Sequence, residues 1–209
     1  MIIDCIGCLH GARPKLDGGD LLIVTGDLTA RDSENEMALF DYWLHKQKYA
    51  AKIVIGGNHD NVLQERRLKL QFGTYLEDSG CSFNGFKIWG SPWTSRFEGI
   101  NPHCCAFTGE NDAEIAPYFD KIPDDVDILI THSPPFTIRD LIDDGKQVGS
   151  PSLMANHIKR LRPKLWAFSH IHEGYGQDGP YKWSGTQYVN CSIMTKRYES
   201  TNAPIRIIL

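Results

Sequence analysis

The stretch Ile53-Val-Ile-Gly-Gly-Asn58-His59-Asp60 decides how this chain is read. An apolar, β-branched run that ends in two glycines and then three polar side chains predicts a buried strand delivering a polar cluster at its carboxyl end. Asn58 offers a neutral oxygen to a metal, His59 a base or acid, and Asp60 a carboxylate able to hold a histidine ring in one tautomer. The same residues would serve equally as a turn between strand and helix. Their surroundings decide between the two.

Four other apolar runs end the same way. Met1 to Ile6 leads into Gly7-Cys8-Leu9-His10-Gly11, and Asp20-Leu-Leu-Ile-Val-Thr into Gly26-Asp27. Val126-Asp-Ile-Leu-Ile-Thr131 is followed by His132, and Leu165-Trp-Ala-Phe by Ser169-His170-Ile171-His172. Continuously apolar strands imply sheets covered on both faces, with helices between the strands. Ser33-Glu-Asn-Glu36 matches a capping box ahead of Met37, Phe40 and Leu44 at helical spacing. Residues 61–72 read as a second helix with Leu63 and Leu70 on one side, and residues 110–120 as a third. Ser150-Pro151 is an N-cap with proline at the first helical position, placing Leu153, His157, Ile158 and Leu161 inward before Pro163. Residues 83–94 predict an antiparallel strand pair and residues 95–109 a surface loop. The segments Gln187 to Asn190 and Ile205 to Leu209 are strands expected to complete a second sheet.

The 209 residues suit one domain spanning 1–209, with no repeat or linker, and 41% hydrophobic with 23% charged residues is ordinary for a soluble protein. The net charge is -4 and the most basic run is only Glu65-Arg-Arg-Leu-Lys69, which argues against a duplex nucleic acid as partner. No apolar stretch has the length of a membrane span, and Met1-Ile-Ile-Asp4 lacks the basic and apolar regions of a signal peptide. Six cysteines with a single Cys5-Ile-Gly-Cys8 spacing are expected to be reduced thiols, and the cytoplasm is the expected compartment.

Ligands of open α/β sheets gather outside the carboxyl ends of the strands. Those ends carry Cys8, His10, Asp27, Asn58, His59, Asp60, His132, His170 and His172, and five of the eight histidines fall in that set. Any one of them alone is an ordinary core or turn residue; five strand ends bearing nitrogen, oxygen or sulfur ligands together predict a metal centre.

Gly26-Asp27, Gly57-Asn-His-Asp60, Thr131-His132 and His170-Ile-His172 resemble, in order and spacing, the signature of the calcineurin-like metallophosphoesterases. Trp89-Gly-Ser-Pro-Trp93, Val126 to His132 and Ser169 to Gly176 resemble blocks of a subgroup of metallophosphoesterase-domain proteins first noted in brain. The resemblance implies a four-layer α/β sandwich, two mixed β-sheets flanked by helices, holding two metal ions. It assigns His10, Asp27 and His172 to the first metal, with Asp27 bridging, and Asn58, His132 and His170 to the second. Two cations about 3.5–4 Å apart clamp the attacking and leaving oxygens at phosphorus, and a hydroxide between them is the implied nucleophile. His59 matches a general acid or a stabiliser of the phosphoryl oxygens, with Asp60 orienting its ring.

The chain departs from that pattern twice. Cys8 stands where the family has aspartate; as a thiolate it would keep the charge and favour zinc or iron over manganese, and as a small buried residue it would leave the first metal weak. Asp4 is a third candidate, set too deep in its strand. Ser169 stands where the family has glycine, and its Cβ is expected to narrow the cleft. His103-Cys104-Cys105 has no complementary pair and is a weak metal motif. The implied activity is that of a phosphodiesterase on 2′,3′- or 3′,5′-cyclic nucleotides or related small diesters. The alternative is a nucleotide-binding sensor or scaffold with a weakened metal site. Trp89, Trp93, Phe97 and Phe136 are candidate stacking faces and Arg96 or Arg139 a candidate phosphate contact, with core aromatics and solvated charges as the competing reading.

Overall fold

A computed structural model describes residues 1–96 and 103–209, so Phe97 lies outside the described residues. In chain order the strands are β1 Ile2–Ile6, β2 Gly19–Thr25, β3 Tyr49–Ile55, β4 Thr74–Tyr75, β5 Ser79–Phe83, β6 Phe86–Ser91, β7 Thr94–Ser95, β8 Thr108–Gly109, β9 Ile128–Thr131, β10 Leu165–Phe168, β11 Gly176–Asp178, β12 Gln187–Asn190 and β13 Ile205–Ile208. The helices are α1 Glu34–His45, α2 Asn61–Gln64, α3 Asp112–Phe119 and α4 Pro151–Lys159. One sheet runs β13-β1-β2-β3-β4, a second β11-β12-β10-β9-β6-β5, and β7 pairs with β8 apart from both. Within the first sheet only β13 is antiparallel to its neighbour; within the second, the edge strands β11 and β5 are. No helix among the described residues is long and apolar enough to cross a membrane.

The apolar runs are continuous because both faces of each sheet are covered. Ile3, Leu21, Ile23, Ile53 and Ile55 of the first sheet pack with Ile88, Ile128, Ile130, Leu165 and Val189 of the second. Their neighbours point outward: Leu22, Val24 and Val54 meet Met37, Phe40 and Leu44 of α1, while Leu129, Trp166 and Phe168 meet Ile115, Phe119 and Leu153 of α3 and α4. The result is the expected order of helix, sheet, sheet, helix, with each fully buried aliphatic side chain contributing roughly 1.5–3 kcal/mol.

Local signals are met with corrections. Ser33 caps α1 by accepting from Glu36 N–H at 3.2 Å, and the Glu36 carboxylate reaches back to Ala30 and Arg31 N–H at 3.3 and 2.9 Å. Asn84-Gly85, with φ of 48° and 81°, turns β5 into β6 as an Asn-Gly hairpin does. The helix expected over 61–72 stops at Gln64. Arg66 takes a φ of 58°, its guanidinium pairs with Glu77, and Asp41 accepts from the amides of Gln71 and Phe72 in the bend that leads into β4. Ile158 is 63% exposed, while Asn156 and His157 turn inward. The 95–109 segment is closed at its ends by the β7–β8 pair, Thr94 with Thr108 and Ser95 with Gly109. Of the two tail strands, β12 joins the second sheet, but β13 lies against β1, where Ile205 and Ile207 enter the core between the sheets. There Arg206 forks onto Asp4 with two bonds of 2.8 Å, and Tyr49 donates to the same carboxylate. Asp4 is thereby committed to an ion pair and is not a metal ligand.

Candidate metal centre

The two sheets meet at the carboxyl ends of their parallel strands. His132 donates from Nδ1 to Thr25 O at 2.8 Å, Ser169 Oγ donates to the same carbonyl at 3.0 Å, and Gly7 N–H donates to Cys191 O at 2.8 Å. These contacts lock β1 and β2 to the loops after β9, β10 and β12, so residues distant in sequence converge. Glycines permit the close approach: a Cβ at Gly7 would lie 1.9 Å from Thr25 Oγ1, and one at Gly57 2.4 Å from Asp27 Oδ1 and 2.7 Å from the His132 ring. Cys8, His10, Asp27 and His170 leave their strands with φ of 46°, 41°, 53° and 67°, left-handed values that non-glycine residues adopt only under constraint.

Three overlapping ligand groups result among the described residues. Asp27, His132 and His170 offer atoms within 4.8 Å of one another, as do Cys8, His10 and His172, and so do His10, Asp27 and His59. Asp27 lies between the first two groups, 3.4 Å from His132 Nε2 and 3.6 Å from His10 Nε2. Asn58 Oδ1 is 3.1 Å from His132 Nε2. The structure therefore gathers all seven residues expected to bind metal.

Their chemistry fits cations. His132 spends its Nδ1 proton on Thr25 O and His172 on Thr195 O at 3.1 Å, which turns both Nε2 atoms toward the cluster. His10 Nε2 is buried without a hydrogen-bond partner among the described residues, and burial holds its ring neutral, down to about 3. Burial also works against protonation of His132, yet the Asp27 carboxylate raises it to about 9. Asp27 itself stays well below the usual carboxylate range in spite of its burial, because His132, His59 and His10 surround it. Lone pairs of nitrogen and oxygen facing one another in a buried site call for positive charge between them. Cys8 Sγ accepts the His170 amide at 3.0 Å; burial, followed by Asp27, pushes the free thiol up to about 11.

Asp60 does not orient His59. Its carboxylate accepts from the amides of Leu28 at 3.0 Å, Thr29 at 3.2 Å and Gly57 at 2.9 Å, fastening the loop after β2 to the loop after β3. The ring of His59 instead has Cys104 Sγ at 3.2 Å from Nδ1, and its backbone amide donates to Asp27 Oδ1 at 3.0 Å. Burial, followed by Asp27, pushes the Cys104 thiol up to about 12. Ser169 is fully buried beneath His132 and does not narrow the cleft.

A cavity of about 300 Å³ opens over His10, Asp27, Asn58, His59, His170 and His172. Arg96 lines it and pairs with Glu110 at 2.8 Å. Trp93 does not: it stacks on Tyr118 at 3.6 Å and donates Nε1 to Asp78, because its ring completes the apolar packing beside β7. Trp89 packs on the same core, Phe136 lies away from the cavity, and Arg139 is clamped by Asp178 at 2.8 Å. Cys104, read from sequence only as part of a weak metal motif, lines the cavity, and sequence reasoning missed Lys196 and Tyr198, which line it too; the Tyr198 ring stands 4.9 Å from that of His10 and 5.0 Å from that of His172. One signal was available for the last two, since Tyr188-Val-Asn190 is a sixth apolar run ending in polar residues.

Residues 3–174 match the calcineurin-like phosphoesterase family. Human metallophosphoesterase domain-containing protein 1 is 35% identical over 98% of this chain and 70% of its own length. A UPF0046 protein of Caenorhabditis elegans is 32% identical over 96% of this chain, which spans 58% of that relative. A solved structure with 13% identity superposes with a TM-score of 0.58 over 90% of this chain and 89% of its own, a likeness of fold. The chain belongs to the calcineurin-like phosphoesterases, a family of metal-dependent phosphoesterases.

Proposed function

We propose that this chain is a binuclear metal-dependent phosphodiesterase acting on cyclic nucleotides or related small diesters. The observation that carries the reading is the sharing of Asp27 between two buried ligand groups beneath one cavity. His10, Asp27, His172 and Cys8 would hold one ion, and Asp27, Asn58, His132 and His170 the other. Two cations held there would supply Lewis acidity toward both the phosphoryl group and the water that attacks it. Manganese, iron and zinc suit such a donor set, and a Cys8 thiolate, supported by the His170 amide, favours iron or zinc.

Preference for a diester is argued from charge. Two cationic side chains, Arg96 and Lys196, line the cavity among the described residues, and each is paired, with Glu110 and Asp143 respectively. A singly charged diester needs less cationic compensation than a monoester dianion. Ile142, Ile171 and Tyr198 offer apolar surface for a nucleoside, while His59 presents a ring nitrogen for a phosphoryl or leaving oxygen.

The test is elemental analysis of anaerobically purified protein, together with hydrolysis of bis-p-nitrophenyl phosphate, 2′,3′-cyclic AMP and p-nitrophenyl phosphate. Two metal equivalents, faster turnover of the diesters, and loss of metal in Cys8→Ala are expected. Nucleotide binding without turnover after reconstitution with manganese, zinc or iron would replace the enzyme by a sensor.

A further inference from the structure

We infer that Cys104 is a positioning residue for His59: its thiol donates to Nδ1 and so makes Nε2 the protonated nitrogen of the ring. The inference rests on the phosphodiesterase reading for its consequence, but not for its geometry. Sγ lies 3.2 Å from Nδ1, and both residues line the cavity. The contact is built in by the backbone. Ala106 N–H donates to Asn58 O and Asn61 Nδ2 donates to His103 O, each at 3.2 Å, so the chain on either side of Cys104 is fastened to the turn that carries His59. Phe107 N–H reaches Gln64 Oε1 at 3.2 Å, and the Phe107 ring fills the space beside Gly56.

The direction of the bond follows from donor chemistry. Sulfur is a weak acceptor, whereas the lone pair of a neutral imidazole is a good one, so a thiol that keeps its proton meets Nδ1 as donor. Asp60 cannot compete, because its carboxylate is occupied by the amides of Leu28, Thr29 and Gly57. With Nδ1 accepting, the ring's N–H is on Nε2, which offers it as a hydrogen bond to a phosphoryl or leaving oxygen. No net proton transfer is required. The thiol thus does for His59 what a carboxylate or carbonyl does for other site histidines, with the opposite tautomer as the outcome.

The test uses the zinc-loaded protein, labelled with 15N in histidine, in wild-type form and as Cys104→Ala and Cys104→Ser. Long-range 1H–15N spectra of the wild type should show His59 protonated at Nε2, with Nδ1 a hydrogen-bonded acceptor. Cys104→Ser should keep that signature. Cys104→Ala should lose the Nδ1 hydrogen-bond shift and lower kcat about 10- to 100-fold at little changed KM, with Cys104→Ser restoring most of it. A wild-type ring protonated at Nδ1 would overturn the inference, as would ring signals of His59 unchanged in Cys104→Ala or loss of zinc from that variant. The spectra need no turnover, so an inactive protein with the expected tautomer would sink the phosphodiesterase reading alone.

Discussion

His157 is the one fully buried histidine that the metal centre does not use. Its Nδ1 donates to Leu161 O at 2.8 Å, Nε2 bonds the Tyr188 hydroxyl, and Trp166 and Trp183 cover the ring. Burial is the main cause that holds it neutral, lowering it from 6.5 to about 4. Because the folded value is depressed, the unfolded chain binds one more proton between these limits, and stability falls as the pH drops from 6.5 toward 4. His157→Gln keeps a hydrogen-bonding side chain but cannot titrate. Thermal unfolding of metal-loaded protein should therefore show the wild type ahead at pH 7, with its lead shrinking steadily down to pH 4. A lead that is constant with pH would mean that His157 is already charged in the folded state. Ser169 also belongs to this scale: its hydroxyl, donating to Thr25 O, ties the two sheets together, a role that a strand-end serine does not announce in sequence.

At the scale of elements, the loops that follow β2 and β3 behave as one unit because Asp60 holds them. Burial, then the nearby Asp27, raises the Asp60 carboxyl to about 7, while the amide hydrogen bonds from Leu28 and Gly57 work in the other direction. Asp60→Ala leaves those buried donors unsatisfied at about 1–3 kcal/mol each, enough to lower Tm and loosen Gly57 and Asn58. The expected pattern is loss of both Tm and metal equivalents in Asp60→Ala, against retained metal in His59→Ala. Equal metal loss in the two variants would restore a joint role. This division was not legible in the sequence, although the elements were. Apolar runs identify buried strands whatever their partners, and strand-end polar residues identify the ligand set, because both signals are local. The orientation of His59 depends on Cys104, 45 positions away on a loop without periodicity, and the end of α2 depends on Asp41 and Glu77. Trp93 was misplaced for the same reason, since adjacency to a motif block says nothing about which side of the sheet a ring enters.

Across the whole molecule, the metal centre doubles as a seam. Cys8, His10, Asp27 and Asn58 follow strands of the first sheet, whereas His132, His170 and His172 follow strands of the second, and both the Cys8–His10–His172 group and the Asp27–His132–His170 group draw on both. Any ion bound there must favour the folded chain, because the unfolded chain does not assemble the donors. Without ions the same groups present lone pairs to one another in a buried site, and left-handed turns at Cys8, His10, Asp27 and His170 still have to be held. Binding at a free ion concentration about 1,000 times the Kd adds roughly 4 kcal/mol, which for a domain of this size corresponds to roughly 8–16 °C in Tm. Dialysis against EDTA should lower Tm by that order, and zinc or manganese should restore it in a concentration-dependent way. Hydrogen exchange should rise at the carboxyl ends of β1, β2, β9 and β10 more than at β4 or β11, which carry no ligand. If the metal is shown by elemental analysis to have left and Tm stays where it was, the core of Ile3, Ile23, Ile130 and Val189 alone holds the sheets together, and the ions are passengers of the fold.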